Sequence, residues 1–247
     1  MWNCAPHLGL ARAAIVSNIW LLQDSLGRNY LIDSGFALER KALDISLWRS
    51  GIRNTGDLEA ILLTHRHSDH AGNAAWLREK FDCPVLCHKN DAPYLDGRLK
   101  HVPLKYGVGN LFDDACSYYE NNHHVQMKID EVFESHELTH GFRVIPVFGH
   151  TEGSSMLYHE ETKTLFSGDA ILSGPPPLRI VERFSLAIEA YCCDAQACWQ
   201  ATLDFLVDHP PIVYLCTGHG PFVGIETSEK LVEVYMKSRK ESSLLAI

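Results

Sequence analysis

The chain has 247 residues, 46% of them hydrophobic, which is enough apolar content to bury one sizeable α/β core. Its formal net charge is −9, from 31 acidic and 22 basic residues, and no Lys/Arg block interrupts it, so a nucleic-acid partner is not expected. The apolar stretch 13–22 is too short to span a bilayer and lacks the basic flank of a secretory leader, so a cytoplasmic protein without a membrane partner is expected.

In chain order, 13–22 reads as the first strand of a hairpin. A turn at Ser25-Leu26-Gly27 follows, then a second strand from Tyr30 to Asp33. The short apolar run Ala60-Ile61-Leu62-Leu63-Thr64 has strand length and stops where Thr64-His65-Arg66-His67-Ser68-Asp69-His70 begins. After Gly72 and Asn73, the residues Ala74, Leu77 and Phe81 recur at helical spacing. Pro84-Val85-Leu86 reads as a strand, with Cys83 and Cys87 as small core side chains at its ends. Eight cysteines show no C-x-x-C pair and no finger spacing, as expected of reduced thiols. Residues 92–130 and 171–191 read as irregular inserts rich in aromatic residues, Gly, Asn and Pro. Asp194 fits the N-cap of a helix with Ala197, Ala201, Leu203 and Leu206 on or near its buried face. A last amphipathic helix is expected from about Thr227, with Leu231, Val234 and Tyr235 inward.

The segment 64–70 carries the strongest chemical signal. His65, His67, Asp69 and His70 are each costly to bury without a partner, and neutral imidazole and carboxylate are the usual ligands of zinc and its neighbours. The bland alternative is a polar loop that happens to be rich in histidine. Three other apolar runs end in the same way: 144–148 before Gly149-His150-Thr151, 164–167 before Gly168-Asp169, and 212–216 before Thr217-Gly218-His219-Gly220-Pro221. Taken singly, each would read as a capping Asp or a partly buried His. Repeated at strand ends, where open α/β sheets place ligands, they read as further metal ligands.

This ordered set of motifs resembles the metallo-β-lactamase-fold hydrolases over about residues 14–225, with Leu31-Ile32-Asp33-Ser34-Gly35 similar to that family's early strand-to-loop Asp. The resemblance implies an α/β fold, a four-layer αβ/βα sandwich of metallo-β-lactamase type, forming one domain over 1–247. It implies two divalent metal ions, zinc foremost, with iron or manganese as alternatives. His65, His67 and His150 would hold the first ion, and Asp69, His70 and His219 the second. Asp169 would bridge them, and Asp33 would orient a ligand loop from behind. The expected activity is a hydrolase in which a hydroxide shared by the metals, oriented by Asp69 as the catalytic residue, attacks the acyl carbonyl of a small ester, lactone or thioester. The inserts would shape the substrate pocket, with Tyr106, His123 and Tyr191 as its candidate side chains. Ala170-Ile171-Leu172-Ser173-Gly174-Pro175 departs from the Gly-Cys-Gly-Arg type sequence of glyoxalase II-like thioesterases and persulfide dioxygenases, which puts a lactone first. Two other readings stay open: a mononuclear-iron oxidoreductase like the persulfide dioxygenases, and a non-enzymatic regulator binding a small ligand on the same fold. The partner expected is a small molecule, and a homodimer is left open.

Overall fold

A computed structural model describes residues 2–5, 10–14, 16–174 and 182–222. The first half of the chain builds a seven-stranded sheet whose spatial order equals its chain order. Strands β1 (Trp2–Ala5), β2 (Leu10–Ala14), β3 (Asn18–Gln23) and β4 (Asn29–Ile32) pair antiparallel, as suits strands separated by only a few residues of sequence. Helix α1 (Arg40–Arg49) then carries the chain back, and β5 (Ala60–Leu62) pairs parallel to β4. Helices α2 (Ser68–Ala71) and α3 (Ala74–Phe81) lead to β6 (Val85–His88), again parallel. Helices α4 (Ala92–Leu95) and α5 (Leu111–His123) lead to β7 (Glu131–Phe133), the last parallel strand.

The second half builds a five-stranded sheet from β8 (Leu138–Thr139), β9 (Phe142–Pro146), β10 (Ser155–His159) and β11 (Thr164–Gly168), which pair antiparallel in turn. A small hairpin, β12 (Ile171–Leu172) with β13 (Ser185–Leu186), and helix α6 (Ala195–Val207) follow. The chain then returns as β14 (Tyr214–Thr217), parallel to β11.

Strand alternation sorts the apolar side chains into three slabs, so the layers run helix, sheet, sheet, helix. Leu31, Ile61 and Val85 face α1 and α3 and pack on Leu43, Leu47, Leu77 and Phe81. Their strand neighbours Trp20, Ile32, Leu62 and Leu86 face the other way and meet Phe142, Val144, Leu157 and Phe166 of the second sheet. On the far side, Ile145, Met156, Leu165 and Leu215 pack against Ala201, Phe205 and Leu206 of α6. The slab between the sheets is fully dry at Trp20, Phe142 and Phe166, and truncating any of these to alanine should cost about 3–5 kcal/mol. This is the expected four-layer sandwich. Among the described residues, no helix is long and apolar enough to cross a membrane.

Three local expectations are revised. The stretch 13–22 is two strands, β2 and β3, interrupted at Val16-Ser17. The break follows from hydrogen bonding across the sandwich: Asn18 donates its N–H to Gly218 O (2.7 Å) and its amide to Thr217 O (2.9 Å) and Gly220 O (3.0 Å). The insert 92–130 holds a 13-residue helix, α5, started by a capping box in which Asn110 and Asp113 exchange side-chain and backbone hydrogen bonds. The stripe that α6 buries is Cys198, Ala201, Thr202, Phe205 and Leu206, so Ala197 lies exposed, although Asp194 caps the helix as expected. The helix expected from Thr227 and the Pro175–Pro177 run lie outside the described residues.

Candidate metal centre

Four strand ends converge on one edge of the sandwich. The loop after β5 brings His65, His67, Asp69 and His70, and the segments after β9, β11 and β14 bring His150, Asp169 and His219. Their donor atoms form three overlapping groups, each within 4.8 Å: His65 with His67 and His150, His65 with His70 and Asp169, and Asp69 with His70 and His219. All seven sequence-derived ligand candidates therefore belong to one cluster.

Two glycines make the approach possible. Gly168 has φ +50°, and a Cβ there would stand 2.7 Å from Thr64 Oγ1. At Gly218 a Cβ would run into Asp169 Oδ1 and would lie 2.8 Å from His70 Cε1. Gly218 N–H donates to Gly168 O at 2.7 Å, so the two loops meet backbone to backbone.

Behind the cluster, four histidines use Nδ1 against the protein and turn Nε2 inward. His70 Nδ1 donates to Asp33 Oδ2 at 2.8 Å, and His219 Nδ1 donates to Val16 O at 3.0 Å. His65 Nδ1 lies 3.1 Å from Thr64 Oγ1, and His150 Nδ1 lies 3.4 Å from Cys192 Sγ. Asp33 also accepts from Thr64 N–H (2.8 Å) and from the Thr64 hydroxyl, so one carboxylate steadies two ligand histidines. It does so from a left-handed backbone, φ 60°.

The inward atoms leave polarity that the protein does not satisfy. His65 Nε2 and His150 Nε2 face each other at 3.2 Å, and with Nδ1 protonated both present lone pairs. Asp169 Oδ2 is 3.6 Å from His150 Nε2 and 3.4 Å from His219 Nε2, while Oδ1 is 3.3 Å from His70 Nε2. Yet His70 Nε2 and Asp169 Oδ1 are buried and complete no hydrogen bond. Opposed lone pairs beside an unsatisfied carboxylate fit divalent cations, so the residues present suit the two-ion centre expected of them.

Electrostatics divide the cluster. Burial pushes His65 and His67 well below the ordinary histidine range, and it pushes His150 down to about 4, so these three are neutral imidazoles. Burial acts the same way on His219, but Asp169 and Asp69 outweigh it and lift the ring to about 10. Asp69, Asp33 and Asp169 likewise outweigh burial at His70 and hold it well above its usual value. Asp169 is buried too, but His219 and His70 hold its carboxyl well below the usual range.

A cavity of about 400 Å³ opens over this cluster, with His67, Asp69, Asp169 and His219 in its floor. Tyr191 lines it, but its hydroxyl donates to Asp113 Oδ1 at 2.7 Å, and burial pushes the phenol further up. Tyr106 and His123 are not among the described residues that line the cavity. Tyr106 is exposed and takes a hydrogen bond from Asn121, and His123 is exposed and stacks on Tyr119. His123 points away because α5 presents a different face to the cavity, and Tyr106, in the loop before that helix, is turned toward Asn121 instead.

Three supports escape a reading of the sequence alone. Asp91 is buried and accepts from Arg66 N–H (3.0 Å), the Thr151 hydroxyl (2.7 Å) and Gly153 N–H (2.8 Å), locking the 64–70 loop to the 149–153 loop. Burial raises its pKa, against the pull of Arg66. Arg66 in turn reaches Glu152 at 2.6 Å. Glu120, also pushed up by burial, accepts from Ser68 N–H at 2.9 Å. Ser17 donates its hydroxyl to Asp69 O. The first of these had one weak signal: an Asp soon after a strand, in a segment that otherwise reads as a loop.

The chain belongs to the metallo-beta-lactamase superfamily, whose family model matches residues 13–225. It is 29% identical over 205 residues to a probable metallo-hydrolase, YybB, of Bacillus subtilis, covering 81% of this chain and 79% of that one. It is also 29% identical over 157 residues to a hydroxyacylglutathione hydrolase of Klebsiella pneumoniae, covering 63% of this chain and 47% of that protein. Among solved structures, TTHA1623 in a di-iron-bound form superposes with a TM-score of 0.61 and 25% identity, covering 90% of this chain and 96% of that one. The fold and family are thus those of metal-dependent hydrolases.

Proposed function

We propose that this chain is a dinuclear zinc hydrolase acting on the acyl carbonyl of a small ester, lactone or thioester. The observation that carries the reading is Asp169, whose two carboxylate oxygens lie 3.3–3.6 Å from His70, His150 and His219 at once. A single carboxylate between two groups of imidazoles is what a bridging ligand requires.

His65, His67 and His150 would hold one ion and Asp69, His70 and His219 the other. When bound, such a pair supplies Lewis acidity and a water ionised near neutral pH. The protein supplies the rest. Asp69 lies in the cavity floor, with Oδ2 3.2 Å from His219 Nε2, where its carboxylate can orient the attacking water and carry its proton. Asp33 fixes the His70 ring and, through Thr64, the His65 ring. The walls above the floor shield the carbonyl from bulk water. No serine or cysteine nucleophile is needed.

Relatives named hydroxyacylglutathione hydrolases give thioesters more weight than the 170–175 segment does by itself. Iron in place of zinc is the second reading, motivated by the di-iron form of a structural neighbour. The test is a panel of esters, lactones and thioesters offered to zinc-loaded and iron-loaded protein, with elemental analysis of each. Hydrolysis that disappears in His65→Ala, together with its metal, supports the reading. Turnover retained by a metal-free His65→Ala variant would refute it.

A further inference from the structure

Resting on that hydrolase reading, we infer that the group seated above the centre is an uncharged, apolar acyl chain lying along α5, not an anionic conjugate. Helix α5 presents Phe112, Ala115, Cys116, Tyr119 and Glu120 to the cavity, which is one stripe at i, i+3, i+4, i+7 and i+8. Phe36, Leu38, Leu104 and Ile188 close the other sides. The wall is therefore mostly carbon, and the candidate ligands form the floor.

Two polar groups on the wall are held by the protein itself. Tyr191 donates to Asp113, and Glu120 accepts from Ser68. Glu39 and Glu120 both line the cavity, and none of its described lining residues is Lys or Arg. Among the described residues, an anionic leaving group such as glutathione would meet two acids on the wall and no Lys or Arg. The volume of about 400 Å³ admits roughly a dozen heavy atoms at the ~30 Å³ each takes in a liquid. After the carbonyl carbon and oxygen, the leaving atom and the attacking water are seated, that leaves a chain of about eight carbons. Leu38 and Phe112 are 84% and 44% exposed, so apolar surface continues beyond the mouth and a longer tail keeps contact.

The test pairs thioesters that share the reacting bond: S-acyl glutathione against uncharged S-acyl N-acetylcysteamine, from acetyl to dodecanoyl, with zinc-loaded full-length protein. The inference expects kcat/KM on the uncharged series to rise roughly two- to fourfold per methylene. The rise should level off near about eight carbons. S-octanoyl N-acetylcysteamine should exceed S-octanoyl glutathione by about tenfold or more. Ala115→Trp should shrink the octanoyl-to-acetyl ratio, because the indole would occupy the chain's seat. Calorimetry with 2-decanone, an uncharged probe that cannot be hydrolysed, should show binding with a negative heat-capacity change. A flat chain-length profile with glutathione thioesters preferred would overturn the inference and leave the hydrolase reading standing. No turnover of any thioester, with 2-decanone still bound, would remove thioesters from the hydrolase reading and support the apolar seat. Neither turnover nor binding would remove the apolar seat and the thioester activity together.

Discussion

Asp33 Oδ2 accepts a hydrogen bond from His70 Nδ1 at 2.8 Å, and both side chains are buried. Through this contact a residue just after β4, which does not line the cavity over the cluster, sets the direction in which His70 Nε2 points. The same carboxylate takes the Thr64 N–H and hydroxyl, so it also governs the start of the 64–70 loop.

Asp33→Asn keeps the size of the side chain but exchanges one acceptor for a donor. The His70 ring loses its anchor or its tautomer. Zinc affinity should fall about 10–100-fold, as for other outer carboxylates that steady a metal-binding imidazole. Competition titration against a chromogenic chelator reads this directly. An unchanged dissociation constant would show that Asp33 is only a folding residue.

Gly218→Ala places a methyl group into Asp169 Oδ1 and against His70 Cε1. The atoms met belong to groups held on several sides, so the clash cannot relax cheaply. The expected result is loss of bound metal and of activity with a melting temperature lowered by only a few degrees, on the order of 1–3 kcal/mol of overpacking strain. Full metal content in this variant would contradict the close approach of the two loops.

Asp91→Ala leaves the buried Arg66 guanidinium with Glu152 alone and releases the Thr151 hydroxyl and two backbone N–H groups. Removing one partner of a buried pair costs about 3–5 kcal/mol. In a domain of this size that corresponds to a melting temperature lower by roughly 10 °C. Asp91→Asn should cost less, because it retains one acceptor. Equal melting curves for all three proteins would dispose of the proposed lock.

Acid should destabilise the fold before any carboxylate is protonated. Burial lowers the pKa of His88 and of His159, which lie away from the cluster, so each is neutral when folded. Because the folded value is lowered, the unfolded chain binds more protons as pH falls below about 6.5. The contribution of these two histidines to stability should be flat above that pH and decline beneath it. Urea midpoints at pH 7.5 and 5.5 test the sign, and His159→Gln should flatten the decline. A midpoint that rises on acidification would contradict it.

Much of this was legible in the residues themselves, for a physical reason. A buried strand is an uninterrupted apolar run, so a Gly followed by His or Asp at its end marks the one place where polarity is tolerated and the backbone can turn. That grammar picked out His150, Asp169 and His219 as companions of the 64–70 loop, and the structure draws all seven together. What stayed hidden depends on partners distant in sequence. Asp91 is an ordinary loop carboxylate until Arg66, Thr151 and Gly153 arrive from 25, 60 and 62 positions away. Helix α5 is rich in Asp, Asn and Tyr, poor helix formers with a weak apolar pattern, and only Asn110 with Asp113 announces its start. Missing it placed Tyr106 and His123 in the pocket, where Phe112, Ala115, Cys116, Tyr119 and Glu120 stand.

The central claim is that the cluster around Asp169 holds a pair of catalytic cations. Elemental analysis of the purified chain, repeated after chelation and after zinc is returned, tests it with acyl hydrolysis followed in parallel. The account predicts about two divalent ions per chain, with activity lost and regained as they leave and return. Undiminished hydrolysis by metal-free protein would contradict it.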